Sequence, residues 1–167
     1  EAVKLKGGRN RLKLVKRLVD EEIPVMAHIG LTPQSVHKLG GYSVQGKTAE
    51  AARILIEDAK MLEDAGAFAI VLELVPREVA ALITEELTIS TIGIGAGLEC
   101  DIQVLVLHDL VGLSFGRLPR FVRQYANIRE VMSEAITNWM NDVKNGDYPN
   151  EKESYGLPKD VQLSDIK

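Results

Sequence analysis

Residues 66–94 read GAFAIVLELVPREVAALITEELTISTIGI, and this stretch decides the fold class. The apolar run at residues 68–72 predicts a short buried strand. Pro76 then opens a segment whose apolar side chains recur at helical spacing, and a second apolar run follows at residues 91–94. A strand, a helix and another strand in this order predict a βαβ unit with two parallel strands.

Three more apolar runs lie on either side of this unit, at residues 3–5, 23–27 and 103–107, and segments of helical period separate them. The predicted fold class is therefore α/β. Five βα units do not close a (β/α)8 barrel, so an open doubly wound sheet is the rival architecture. That sheet normally carries a glycine-rich phosphate turn after an early strand, and none follows Leu5 or His28. The pattern favours the barrel.

The helix ends are marked by their flanking residues. Thr48 can cap one helix and Gly66 can end it, while a long last helix starts near Asn127 and stops at Gly146. We predict a partial barrel over residues 1–147 and a polar C-terminal tail over residues 148–167. The chain opens on a glutamate, in what reads as the middle of a strand, and we expect it to be a piece of a longer protein.

Composition excludes several classes of function. The chain has 167 residues and a formal net charge of -4, with 20 basic residues that are scattered and form no stripe for nucleic acid. No apolar run approaches the roughly 18 residues that a membrane span needs. A single cysteine, Cys100, cannot form an internal disulfide. We expect a cytoplasmic protein that binds neither nucleic acid nor membrane.

Polar residues close several of the apolar runs, and the carboxyl ends of parallel strands face the active site in such folds. These candidates are Lys4, Lys6, His28, Glu73, His108 and Asp109. Glu73 follows an apolar run, where a carboxylate could serve as a base, although it could equally be the acidic residue that precedes a helix. A lone histidine such as His28 is more often a hydrogen-bonded structural residue than a ligand or catalyst.

Three further features suggest close packing or a lid. The glycines at positions 93, 95 and 97 favour close approach of a substrate to the backbone, or tight packing, over nucleotide binding, because no P-loop lysine follows them. Cys100 has no activating neighbour, which favours a structural role. The glycine-rich loop at residues 31–46 follows a strand end and is long for a βα connection, which predicts a lid over the substrate.

Several ordered motifs, taken together, resemble the ketopantoate hydroxymethyltransferase family. They are HIGLTPQ at residues 28–34, GGY at 40–42, VQG at 44–46, LE at 72–73, VP at 75–76, IGIGAG at 92–97, QVLV at 103–106 and HD at 108–109. The resemblance runs from Ala2 to about Tyr155. It implies a (β/α)8 TIM barrel of which this chain carries strands 4–8, and assembly as a homo-oligomer, since decamers are known in the family.

The resemblance also implies a reaction. Enzymes of the family use Mg2+ and transfer a one-carbon unit from 5,10-methylenetetrahydrofolate to 3-methyl-2-oxobutanoate. The product is 2-dehydropantoate (ketopantoate), which is used for pantothenate synthesis. Position by position, Glu73 matches the proposed proton acceptor of the family, Lys4 matches a lysine that contacts the 2-oxo acid, and His28 matches a histidine near the substrate.

One departure concerns the metal. The family has a metal-binding glutamate where this chain has Lys6, and a protonated lysine cannot bind Mg2+ and would repel it. The two aspartates that the family carries on its first three strands have no counterpart here. We therefore expect no complete metal site, and no transferase activity from these 167 residues alone.

Two other interpretations remain open at this point. One is a non-catalytic, degenerate barrel protein that acts through oligomer contacts. The other is a different 2-oxo-acid barrel, such as a lyase similar to isocitrate lyase, which the chain supports poorly because it has no cysteine-containing lyase loop beside the expected strands.

Overall fold

The computed structural model describes residues 1–32 and 43–166. Its strands form one sheet in the order β1-β2-β3-β4-β5, and every neighbouring pair is parallel. The strands are β1 (Val3–Lys6), β2 (Val25–Gly30), β3 (Ala69–Glu73), β4 (Ser90–Ile94) and β5 (Ile102–Gln103). The predicted α/β class and parallel sheet are confirmed.

Helices separate the strands and continue after them. They are α1 (Leu12–Asp20), α2 (Ala49–Asp64), α3 (Arg77–Glu86), α4 (Leu107–Leu110) and α5 (Ile128–Asn145). Short 3-10 helices cover Arg9–Arg11, Glu151–Glu153 and Leu163–Asp165. Within the described residues, no helix combines the length and the apolar character that crossing a bilayer requires.

The main hydrophobic core lies on one face of the sheet, which we call the helix-covered face. Alternate residues of β2 and β3 supply its strand side, namely Val25, Ala27, Ile29, Ile70 and Leu72. Helices α1, α2 and α3 supply its other side through Val15, Ala59, Leu62, Val79, Ala80 and Ile83. Because side chains alternate along a strand, the residues between these point to the opposite face.

The predicted helix ends are confirmed. The Thr48 hydroxyl accepts a hydrogen bond from the Ala51 backbone N–H at 3.1 Å, which caps α2. Gly66, with a φ of +94°, follows the end of that helix. Asn127 directly precedes α5, and Gly146 ends it in the left-handed conformation. Pro76 stands at the cap of α3, one residue before the helix proper.

The prediction for the fifth strand is wrong in its second half. Strand β5 ends at Gln103, residues 104–106 are not extended in the sheet, and Leu107 already belongs to α4. The Val104 N–H still bonds to the Gly93 carbonyl at 3.0 Å. Directly after β4, Gly95 adopts a φ of +64°, which turns the chain out of the sheet. Residues beyond Gln103 therefore have no further β4 residues with which to pair.

The chain divides into two units by its internal packing. The first comprises Glu1–Val106 and Pro119–Val122 and contains the sheet with α1 to α3. The second comprises Leu107–Leu118 and Arg123–Lys167 and contains α4 and α5. In the second unit the Ile128 N–H bonds to the Val111 carbonyl at 2.9 Å, which ties the start of α5 to the residues that follow α4.

Candidate active site

Four of the predicted residues share the face of the sheet opposite the helices, which we call the site face. The Cα of Lys6 pairs with that of His28, and the Cα of Gly30 pairs with that of Glu73. Lys4 lies two residues before Lys6 on β1 and therefore projects to the same side. The structure thus places Lys4, Lys6, His28 and Glu73 on one face of three adjacent strands, with Lys6 and Glu73 as the last residues of β1 and β3.

Gly30 allows the ends of β2 and β3 to approach each other. A Cβ at this position would lie 2.2 Å from the carbonyl oxygen of Glu73, and its φ is +85°. The Leu31 N–H donates to that same carbonyl at 2.7 Å. Only glycine fits both requirements, so this residue fixes the backbone from which the Glu73 side chain projects.

Leu74, directly after Glu73, has a φ of +49°. The left-handed conformation costs a non-glycine residue about 1–2 kcal/mol. Two hydrogen bonds hold it there, from the Leu74 N–H to the Ile94 carbonyl at 2.9 Å and from the Gln45 N–H to the Leu74 carbonyl at 2.8 Å. Such strain concentrates at functional sites. Sequence reasoning did not single out Leu74, because nothing in a leucine signals this conformation.

His28 and Glu73 are in contact at ion-pair distance, while the His28 ring makes its hydrogen bond to the Leu31 carbonyl. The His28 Nε2 lies 3.1 Å from Glu73 Oε2 and 3.0 Å from the Leu31 carbonyl oxygen. Because both neighbours are acceptors, Nε2 carries a proton. The His28 side chain is 1% exposed and that of Glu73 is 15% exposed. Among the described residues, the His28 Nδ1 has no hydrogen-bond partner although it is buried.

The lysines make the electrostatics of the site face predominantly positive. Partial burial lowers the pKa of Lys4 from its ordinary value, the neighbouring charge of Lys6 lowers it further, and the Glu73 carboxylate opposes both effects. In the part of the chain that the structure describes, neither lysine is a member of an ion pair. Glu73 therefore shares the site face with two ammonium groups, and its carboxylate acts on that of Lys4.

The turn after Lys6 is anchored by residues that sequence reasoning missed. The Gly7 N–H bonds to the His28 carbonyl at 2.9 Å, which extends the β1–β2 ladder by one residue. Arg9 Nε then lies 2.6 Å from Asp58 Oδ1, and that carboxylate is buried. An aspartate within an amphipathic helix looks like a surface residue in sequence, because its partner lies 49 residues away.

The glycine run and the cysteine serve packing. A Cβ at Gly93 would lie 3.0 Å from Cys100 Sγ, one at Gly95 would lie 2.8 Å from the Phe121 ring, and one at Gly97 would lie 2.4 Å from the Arg77 Cβ. These distances confirm the prediction of tight packing at the three glycines. Cys100 is buried, and burial raises the pKa of its thiol.

Two predicted strand-end candidates lie elsewhere. His108 and Asp109 belong to α4 in the second unit, because β5 ends before them. Asp109 accepts a hydrogen bond from the Ser114 hydroxyl, a local contact within that unit. The predicted lid falls mostly on residues 33–42, which lie outside the described residues.

Comparison with known proteins gives a consistent result. A sequence profile described as ketopantoate hydroxymethyltransferase matches residues 1–151. A 3-methyl-2-oxobutanoate hydroxymethyltransferase of Koribacter versatilis is 55% identical over 98% of this chain and 56% of its own length. Proteins of the same name from Clostridium botulinum and Clostridioides difficile are 56% and 52% identical, each over 93% of this chain and 57% of their own length. The chain thus spans somewhat more than half the length of these relatives.

Proposed function

Since the chain belongs to the ketopantoate hydroxymethyltransferase family, we propose that it forms part of an enzyme that acts on 3-methyl-2-oxobutanoate. In this proposal the one-carbon unit comes from 5,10-methylenetetrahydrofolate and the product is 2-dehydropantoate. The observation that carries the proposal is the 3.1 Å contact between the buried His28 Nε2 and Glu73 Oε2, which lies on the same face of the sheet as Lys4.

Glu73 would act as the base. Its carboxylate takes the proton from the carbon next to the keto group, and the electron pair of that C–H bond moves onto the keto oxygen as an enolate. One carboxylate oxygen of Glu73 lies 3.1 Å from the His28 Nε2, which leaves the other for the transferred proton. Lys4 would bind the carboxylate of the acid. The enolate carbon then attacks the methylene carbon of the folate, and one of the two C–N bonds of that carbon breaks. Water breaks the second C–N bond and supplies the hydroxyl group. The two folate nitrogens take up the proton from Glu73 and the remaining proton of the water.

Mg2+, which the family resemblance implies, does not fit the described residues. This cation takes oxygen ligands, whereas the site face offers one carboxylate, which lies 3.1 Å from a histidine nitrogen, and two ammonium groups. The described part of the chain contains no group of three or more side chains suited to a metal ion. No step of the proposed mechanism of this chain therefore passes through a metal.

The architecture supports a partial barrel. Parallel strands follow one another in sequence order, as in a (β/α)8 barrel, without the reversal of a doubly wound sheet. Large apolar side chains of α5 are exposed, as expected for a helix whose packing partner is supplied from outside the unit that contains it. They are Val131, Met132, Ile136, Trp139, Met140 and Val143. We propose that residues 1–147 supply strands 4–8, that residues 148–167 form a tail, and that the enzyme is a homo-oligomer.

The test compares the chain with a completed protein. The 167 residues alone should form no ketopantoate from the two substrates, because the family aspartates are missing. We would build a hybrid in which this chain is joined to the segment of the Koribacter versatilis relative that it does not match. This hybrid should form ketopantoate. Glu73→Gln in the hybrid should abolish turnover, whereas Glu85→Gln, on the exposed side of α3, should not. Turnover by the unmodified 167 residues, or by the Glu73→Gln hybrid, would contradict the proposal.

A further inference from the structure

We propose that Lys4 and Lys6 form a binding site for the carboxylate of a small organic acid, and that this site needs no divalent cation. The inference rests on the proposed function, because the acid expected at this site is the 2-oxo acid. In the family pattern a metal ion lies near the acid, whereas here the positive charge belongs to two lysine side chains of the protein.

The placement of the two lysines allows them to share one anion. They alternate along β1 and project to the site face, with Lys6 beside His28 in register. Residues two apart on a strand are separated by about 6.6 Å. A lysine carries its ammonium on a flexible four-carbon stem. Both ammonium groups can therefore reach the two oxygens of a single carboxylate.

The charges of the two lysines are not neutralised within the described residues. Neither ammonium has an ion-pair partner there, and the nearby Glu73 carboxylate is in contact with the His28 ring instead. Two like charges on adjacent positions of one face repel each other. An anion placed between them removes that repulsion and gains charge-assisted hydrogen bonds.

His28 gives a second, independent indication of a ligand. Buried polar atoms almost always have a hydrogen-bond partner, yet the Nδ1 of this 1% exposed side chain has none among the described residues. A neutral ring would offer Nδ1 to a hydroxyl group, and a protonated ring would offer an N–H to a carboxylate or keto oxygen. A 2-oxo acid has no hydroxyl group, so the protonated ring provides the missing contact once the acid occupies the site face.

A divalent cation would be disfavoured at this position. Mg2+ requires oxygen ligands, and the ammonium of Lys6 supplies none while repelling the ion. The acid should therefore bind equally well with and without Mg2+, and its affinity should fall as salt screens the lysines.

Isothermal titration of the 167-residue chain with 3-methyl-2-oxobutanoate tests the site, in EDTA and again in Mg2+. Lys6→Met keeps the apolar stem and removes the charge, and it should raise the Kd about tenfold or more. Lys16→Met is the matched control, because Lys16 is an exposed residue of α1, and it should leave the Kd unchanged. The neutral ketone 3-methyl-2-butanone, which lacks the carboxylate, should not bind. Circular dichroism verifies that each variant is folded.

The outcomes separate this inference from the proposed function. Absence of binding in EDTA, or a folded Lys6→Met variant that binds as tightly as the wild type, would overturn the inference, while turnover by the hybrid enzyme would still support the function. Conversely, a hybrid that forms no ketopantoate would count against the function. Binding in EDTA that depends on Lys6 would then still establish a carboxylate site.

Discussion

Replacing Gly30 by alanine should destabilise the protein and displace the site at the same time. The left-handed φ of +85° adds about 1–2 kcal/mol of strain for any residue with a Cβ. That Cβ would lie 2.2 Å from the Glu73 carbonyl oxygen, so backbone must move and the 2.7 Å bond from the Leu31 N–H is lost. Loss of a buried hydrogen bond adds about 1–3 kcal/mol. We expect a total of about 2–5 kcal/mol.

Gly146→Ala is the matched control for this variant. Its φ is +81°, almost the same, but a Cβ there would meet nothing within 4 Å. It should cost only the strain of about 1–2 kcal/mol. Urea unfolding measures the overall loss in each variant, and hydrogen exchange measures the local loss, at Leu31 and Leu74 in one case and at Asp147 in the other. Equal losses at the two glycines would show that the close approach to Glu73 contributes nothing.

Three further predictions concern ionisable groups. Partial burial and the charge of Lys6 lower the pKa of Lys4, so Lys6→Met should raise that pKa in an NMR titration. Because the folded pKa of Lys4 is lowered, its charged form destabilises the fold at low pH. This unfavourable contribution should disappear as pH rises through the folded pKa. Hydrogen bonds from Thr91, first from its backbone N–H and then from its hydroxyl, lower the pKa of Asp101. The ionised Asp101 carboxylate therefore stabilises the fold, and this stabilisation is lost as pH falls through the folded pKa of Asp101. Thr91→Val should raise the pKa of Asp101 and make acid unfolding curves less dependent on this group. It should also lower the free energy of unfolding by about 1–3 kcal/mol, because the hydroxyl is fully buried. Cys100, with its pKa raised by burial, should react with a thiol reagent near pH 8 only at the rate of unfolding, and rapid labelling of folded protein would contradict its placement in the core.

The hydrophobic pattern predicted most of the fold. Four of the five strands and the ends of α2 and α5 lie where apolar runs and capping residues indicate. The fifth strand shows the limit of this reasoning, because residues 103–107 are as apolar as the others. Whether an apolar run becomes a strand depends on a neighbouring strand with free hydrogen-bonding groups, and the turn at Gly95 withdraws that neighbour.

The candidate site divides in the same way. A residue at the end of an apolar run can be recognised in sequence, and this identified Lys4, Lys6, His28 and Glu73. The sequence alone left His28 open between a structural and a functional role, and Glu73 between a base and a residue that precedes a helix. The fold brings the two side chains to within 3.1 Å of each other and leaves the His28 Nδ1 buried without a described partner.

By itself, the sequence determined the fold class, the family and the identity of the charged strand-end residues, because these depend on local periodicity and residue type. Only the tertiary structure decided which of those residues meet. The register of β1, β2 and β3 brings Lys6, His28 and Glu73 together from positions far apart in the chain. It also revealed the contact between Gly30 and the Glu73 carbonyl, and the anchoring of the turn after Lys6 by Asp58. Such contacts depend on the packing of several elements at once, which no local stretch of sequence encodes.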